Sequence, residues 1–195
     1  FYGHTDKVTI TILLNEKTFE FARFNNMDEI ENYPDAKHIL IAGLKQKDFE
    51  SFASKYADKF EVIHFWKCPY VADLSALGDL RNVKYITYFW NRNANKLWDF
   101  SKNDNLVGFM FESFSKVKTL DCIEKSKSLK ELWFKIQNLN TAWEIAFNQN
   151  WSRGSAIEAI ESDLKKAQEI SGVQQIQYAL QLDIQLVVKS CQTQP

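Results

Sequence analysis

Phe60-x-x-Ile63-x-Phe65-x-x-Cys68, followed 23 residues later by Val83-x-x-Ile86-x-Tyr88-x-x-Asn91, is the stretch that decides the fold. Its apolar places fall at one, four and six, with a Cys or Asn at nine. The fourth and sixth places are two residues apart, the spacing of one face of a β-strand. The frame extends forward to Leu106-x-x-Phe109-x-Phe111-x-x-Phe114 and Leu129-x-x-Leu132-x-Phe134-x-x-Gln137. It extends backward to Ala36-x-x-Ile39-x-Ile41-x-x-Leu44. Five starts separated by 24, 23, 23 and 23 residues mark a repeated unit. The second halves also match: Leu74, Leu77 and Leu80; Leu97 and Phe100; Val117, Leu120 and Ile123; then, weakly, Trp143 and Ala146.

This spacing resembles a degenerate leucine-rich repeat over residues 36–150, with Phe, Ile and Tyr often in place of Leu. The resemblance implies an α/β solenoid in which each unit supplies a strand, a turn and a return segment. Stacked strands then form a parallel sheet, because no unit can bury its apolar face alone. It also implies a ninth-place Asn or Cys serving backbone groups beneath the turn. Cys68 and Asn91 fit that pattern; Leu44, Phe114 and Gln137 depart from it, which puts an unbroken hydrogen-bonded ladder in doubt. An ordinary α/β domain of alternating strands and helices is the alternative architecture.

The chain is long enough for one domain with a sizeable core, and an apolar share of 45% places it among globular proteins. Lys and Arg number 24 against 25 Asp and Glu, so charge gives no reason to expect nucleic acid or an anionic membrane. Three cysteines, Cys68, Cys122 and Cys191, are too few for a disulfide scaffold and read as reduced thiols. No run approaches the roughly 20 apolar residues of a membrane-spanning helix, and no secretory signal is visible. A cytoplasmic location is the expectation; the sequence begins at Phe1 without Met, which keeps secretion after leader removal open.

The single domain divides into an N-terminal cap (1–35), repeats (36–150) and a C-terminal cap (151–195). Val8, Ile10 and Ile12 alternate with threonines, Asn15-Glu16-Lys17 reads as a turn, and Phe19 and Phe21 alternate on the return, giving a β-hairpin cap. Asn25–Pro34 reads as a loop or short helix. Asp48-Phe49-x-x-Phe52-Ala53-x-x-Tyr56 has helical spacing, while the later return segments (Ala72–Leu80, Asn95–Phe100, Ser115–Lys125) are shorter and read as single turns or irregular chain. Ser155 and Glu158 form a capping box ahead of Ile157, Ile160, Leu164, Ala167 and Ile170, predicting a helix over about 156–171. Strict alternation from Ile176 to Val188, with no Gly or Pro, predicts one long strand or two strands with a subtle bend. That strand completes a helix-plus-strand cap or pairs with its own copy in a homodimer.

The frame also assigns faces. Places three, five and seven, with eight beside them, point to the concave surface of the sheet. Place three holds His38, Val62, Tyr85, Gly108 and Glu131; place five holds Leu40, His64, Thr87, Met110 and Trp133. Place seven holds Ala42, Trp66, Phe89, Glu112 and Lys135; place eight holds Gly43, Lys67, Trp90, Ser113 and Ile136. Trp66, Tyr85, Phe89, Trp90, Met110 and Trp133 on a wet face have the make-up of an interaction surface. Coverage of these rings by the C-terminal cap, or by a twist of the sheet, is the alternative.

Enzyme chemistry fits the frame poorly. Glu112 and Glu131, on neighbouring strands but four places apart, have backbones about 14 Å apart, against the ~5–9.5 Å of hydrolytic carboxylate pairs. Glu112 and Lys135 share a place and read as a cross-strand ion pair. His64 and Cys68 lie about 13 Å apart on one strand and face opposite sides. His4, His38 and His64 do not make a metal-ligand set. No phosphate loop or nucleophile elbow is present. The expectation is a noncatalytic protein-interaction module without cofactor or metal, binding a partner protein or peptide, with Glu112, Lys135, Glu131 and Lys67 setting register at the rim. A small bacterial antagonist of a partner protein is one specific version, which no residue selects. A self-assembling protein that dimerises through its C-terminal strand is the second reading, and an enzyme with a loop-built site the third.

Overall fold

The computed structural model describes residues 7–117, 120–136, 175–180 and 186–187. The described strands are β1 (Thr9–Asn15), β2 (Glu20–Phe24), β3 (His38–Ala42), β4 (Val62–Trp66), β5 (Tyr85–Asn91), β6 (Gly108–Phe114), β7 (Glu131–Ile136), β8 (Gln175–Leu180) and β9 (Leu186–Val187). They form one sheet in the order β2-β1-β3-β4-β5-β6-β7-β8-β9. β3 to β8 run parallel. The α/β class and the mostly parallel sheet agree with expectation.

Register follows the sequence frame without a slip. Ile39, Ile63, Ile86, Phe109 and Leu132 align across β3–β7, as do Ile41, Phe65, Tyr88, Phe111 and Phe134. All ten are buried. A one-residue slip would send this whole set to the other face, so the burial pattern fixes the pairing. The strand entries repeat one hydrogen-bond device. The second-place carbonyls of Lys37, Glu61, Lys84 and Val107 each accept two backbone N–H groups from the next unit.

Strict alternation would bury places four, six and eight. Instead, Leu44, Cys68, Asn91 and Phe114 at place nine are buried. The cause lies one residue earlier. Gly43, Lys67, Trp90 and Ser113 all have positive φ, between 51° and 76°. A left-handed residue breaks the pleat and reverses the parity of the next side chain. At place eight, Gly43 and Ser113 are buried at the bend, while Lys67 and Trp90 stay half-exposed.

The return segments cover the face bearing places four, six and nine. In the first unit the return is helix α1 (Gln46–Lys55), as its spacing predicts, and Phe49 and Phe52 set their rings 5.4 and 6.1 Å from that of Phe65. Later returns narrow to 3-10 turns at Ser75–Asp79, Phe100–Lys102 and Asp121–Lys125. Leu77, Phe100 and Ile123 are buried from these turns. Aromatic rings fill much of the interior: Phe65, Tyr88 and Phe114 form a chain with 5.1 Å between successive centroids.

Two asparagines supply the polar joints of this apolar interior. Asn91 Nδ2 donates to the Val71 carbonyl at 2.8 Å, and its Oδ1 accepts from the N–H groups of Asn93 and Ala94 at 2.9 and 2.8 Å. Asn103 Nδ2 donates to the carbonyls of Leu77 and Leu80 at 2.9 and 3.0 Å, and Trp98 Nε1 donates to its Oδ1 at 2.6 Å. Cys68 is a weaker version of the ninth-place role, its Sγ 3.9 Å from the Ile41 carbonyl. Leu44 and Phe114 only fill space, so the polar ladder is discontinuous.

At the N-terminal edge the expected hairpin forms and adds to the sheet. β1 pairs antiparallel with both β2 and β3, placing Ile10 and Ile12 opposite Ile41 and Ile39. Asn15 Oδ1 holds the turn by accepting from Lys17 N at 2.9 Å. At the other edge β8 extends the parallel ladder, Gln175 opposite Glu131. The expectation of one long strand, or two with a subtle bend, is corrected: β8 and β9 pair antiparallel, Leu180 opposite Leu186. The expected helix at 156–171 and the end of the last repeat lie outside the described residues.

Gly43→Ala forces a Cβ into the left-handed region and is expected to lower stability by about 1–2 kcal/mol in urea unfolding. Asn91→Ala removes one side chain that serves three backbone groups, two of them buried, and is expected to cost more, about 3 kcal/mol. Equal or smaller loss at Asn91 would show that the joint is not holding the turn.

Candidate functional site

The face opposite the return segments carries three rows of side chains, because strand alternation turns places three, five and seven the same way. The parallel register lines them up. Tyr85, Gly108 and Glu131 are successive partners in one row, and His64, Thr87, Met110 and Trp133 in the next. Trp66, Phe89, Glu112 and Lys135 make the third. Eight of the nine singled-out residues therefore fall in adjoining rows: His64, Trp66, Tyr85, Phe89, Met110, Glu112, Trp133 and Lys135.

Trp90 is the ninth and sits at the left-handed bend near the end of β5, directly after Phe89. Lys67 Nζ lies 5.2 Å and the Arg92 guanidinium carbon 4.6 Å from its ring centroid. Both distances suit cation–π attraction.

The third row holds a stacked pair. The rings of Trp66 and Phe89 lie 4.2 Å apart at an interplanar angle of 16°. Trp66 is nonetheless 43% exposed and Tyr85 40% exposed. Glu112 and Lys135 are direct register partners.

Gly108 makes a gap in the first row. A Cβ there would lie 2.5 Å from Tyr85 Cδ1 and 3.7 Å from Glu131 Cβ. The phenol ring thus leans over the glycine into space that a side chain would fill. Around it is a hollow of about 260 Å³, walled by Tyr85, Thr87, Met110, Glu131 and Trp133. Sequence reading placed these side chains on one face but missed the hollow, whose only signal was a Gly inside a strand.

The histidines and the cysteine sort by face. His64 sits half-buried on the open face, and burial, then the neighbouring His38, lowers its pKa. His38 Nδ1 lies 3.3 Å from Glu16 Oε1 of the hairpin. Cys68 is on the far side of the sheet, and burial pushes its thiol from an ordinary 9.0 up to about 12. His64 and Cys68 are separated by the sheet, so the thiol is held neutral and out of reach of the imidazole. No helix among the described residues is long and apolar enough to cross a membrane. Neither a family model, nor a curated protein, nor a solved structure matches the chain.

The Cys68 thiol gives a pH prediction. Between its unfolded value near 9 and its folded value of about 12 the unfolded chain binds fewer protons, so stability falls as pH rises through that window. The loss approaches about 1.4 kcal/mol per pH unit. Cys68→Ala removes this component. Denaturant midpoints measured from pH 8 to 11 are expected to fall less steeply for the variant than for the wild type, and parallel profiles would refute the assignment.

Proposed function

We propose that the chain is a degenerate leucine-rich-repeat solenoid that acts as a noncatalytic protein-interaction module. Its aromatic rows grip another protein or peptide, and the charges of Glu112, Lys135 and Glu131 set the register. The observation that carries this reading is the alignment of Trp66, Phe89, Tyr85, Met110 and Trp133 in adjoining rows on the face away from the return segments. Exposed Trp and Tyr beside a few charges are the composition of binding hot spots. The 23-residue register, the place-nine joint at Asn91 and the narrow 3-10 returns support the repeat reading. β8 finds a partner along its whole length in β7 of the same chain, which favours recognition over assembly through the terminal strand.

Affinity capture from the native source, wild type beside Trp66→Ala/Trp133→Ala, tests this. Both side chains lie on the open face, so the variant is expected to fold, with circular dichroism and unfolding midpoint as the check. Partner affinity is expected to drop by at least about 2 kcal/mol. Undiminished capture by the folded variant would reject the face as the binding surface. Recovery of only further copies of the chain, with mass rising with concentration, would transfer the role to self-assembly.

A further inference from the structure

The hollow over Gly108 has the chemistry of a cation seat. Its walls are two aromatic rings, Tyr85 and Trp133, the Met110 thioether and the Thr87 side chain. Glu131 is exposed and is the one charged side chain among the described residues that line it. Ring faces attract cations through their quadrupole, and the carboxylate adds a formal charge beside them. At about 260 Å³ the hollow is smaller than the ~300–1,000 Å³ of ordinary small-molecule sites, a size that suits one inserted side chain.

Geometry narrows the choice further. Tyr85 and Glu131 stand two strands apart in one row, roughly 10 Å between backbones. The missing side chain at Gly108 leaves room for the phenol ring over the intervening strand, where a Cβ would lie 2.5 Å from Tyr85 Cδ1 and 3.7 Å from Glu131 Cβ. Trp133 follows Glu131 by two residues on β7 and so rises on the same face. A planar group can lie against a ring while its edge meets the carboxylate. A guanidinium has that shape, with donors along the edge; an ammonium is a compact, strongly hydrated point that gains less from a ring face.

We propose that this hollow receives an arginine side chain of the partner protein, its guanidinium against Tyr85 and Trp133 and its N–H edge on the Glu131 carboxylate. The proposal deepens the interaction reading and rests on it. It makes the partner's contact surface basic at this point, and it assigns Gly108 a positioning role: the absent side chain sets the Tyr85 ring.

The full chain, labelled with ¹⁵N, is titrated with N-acetyl-arginine amide and with its neutral isostere N-acetyl-citrulline amide. The Gly108 amide and Trp133 indole N–H signals are expected to move with the arginine compound. Citrulline is expected to bind about tenfold more weakly, the loss of a charge-assisted pair. Glu131→Gln, an exposed change, is expected to weaken arginine binding about fivefold with the rest of the spectrum unchanged. Equal response to arginine and citrulline, shifts away from Gly108 and Trp133, or indifference to Glu131→Gln would each overturn the proposal. Capture of the partner separates the two levels of inference. Loss in Trp66→Ala/Trp133→Ala with full retention in Glu131→Gln rejects the arginine seat and keeps the binding face; retention in both rejects the face and the seat together.

Discussion

Four successive units turn at a residue with positive φ, and much of the architecture depends on that bend. A parallel strand must be followed by a connection that returns the chain to the same edge of the sheet. Here the return begins under the sheet, so the first side chain beyond the strand must point inward. Regular pleating would point it outward. The left-handed residue at Gly43, Lys67, Trp90 and Ser113 resolves the conflict by reversing parity in one step. Three of these four are not glycine, and each carries a backbone cost of about 1–2 kcal/mol. The compensation is the inward burial of Cys68, Asn91 and Phe114 one residue later.

The bend also fixes where polar groups are needed. A chain that turns inside the molecule carries backbone N–H and C=O groups away from water, and each must be paired. Asn91 meets this need with one side chain that donates to one strand-end loop and accepts from the next. Asn103 does the same between the 3-10 returns, joining Leu77 and Leu80 to Trp98. No buried side-chain nitrogen or oxygen among the described residues lacks a partner. Units with Leu44 or Phe114 at place nine bury an apolar side chain instead. The interior thus combines aromatic packing with two polar joints, in place of a uniform ladder.

The register was legible because it rests on burial at period two, which the residues state directly: Ile39, Ile63, Ile86, Phe109 and Leu132 are all apolar and all aligned. The rows of the open face followed from the same count. The parity switch was hidden because Lys67, Trp90 and Ser113 give no sign of a left-handed backbone; only Gly43 does. Asn103 was hidden because it lies outside the nine-place frame. The antiparallel pairing of β9 with β8 was hidden because the sequence between them holds neither Gly nor Pro, the residues that announce hairpins. The hollow was hidden for another reason: a single Gly in a list of side chains does not show that a neighbouring ring has leaned across it.

The open face is not required by the core. Places one, four, six and nine bury the apolar interior, and the stacking of Trp66 on Phe89 adds only about 0.5–1.5 kcal/mol beyond the area it covers. The exposed Trp66, and the exposed Tyr85 at the opposite end of the neighbouring strand, gain little for folding that smaller polar residues would forgo. A row of rings on this face is also a hazard, since exposed apolar surface promotes association. Glu112, and Glu131 at the far end of the first row, interrupt that surface with charge. Rings spaced at strand separation, broken by carboxylates and opened by a glycine, form a surface with positions that differ from one strand to the next. Under the interaction reading we propose, those differences are what would distinguish one partner from another.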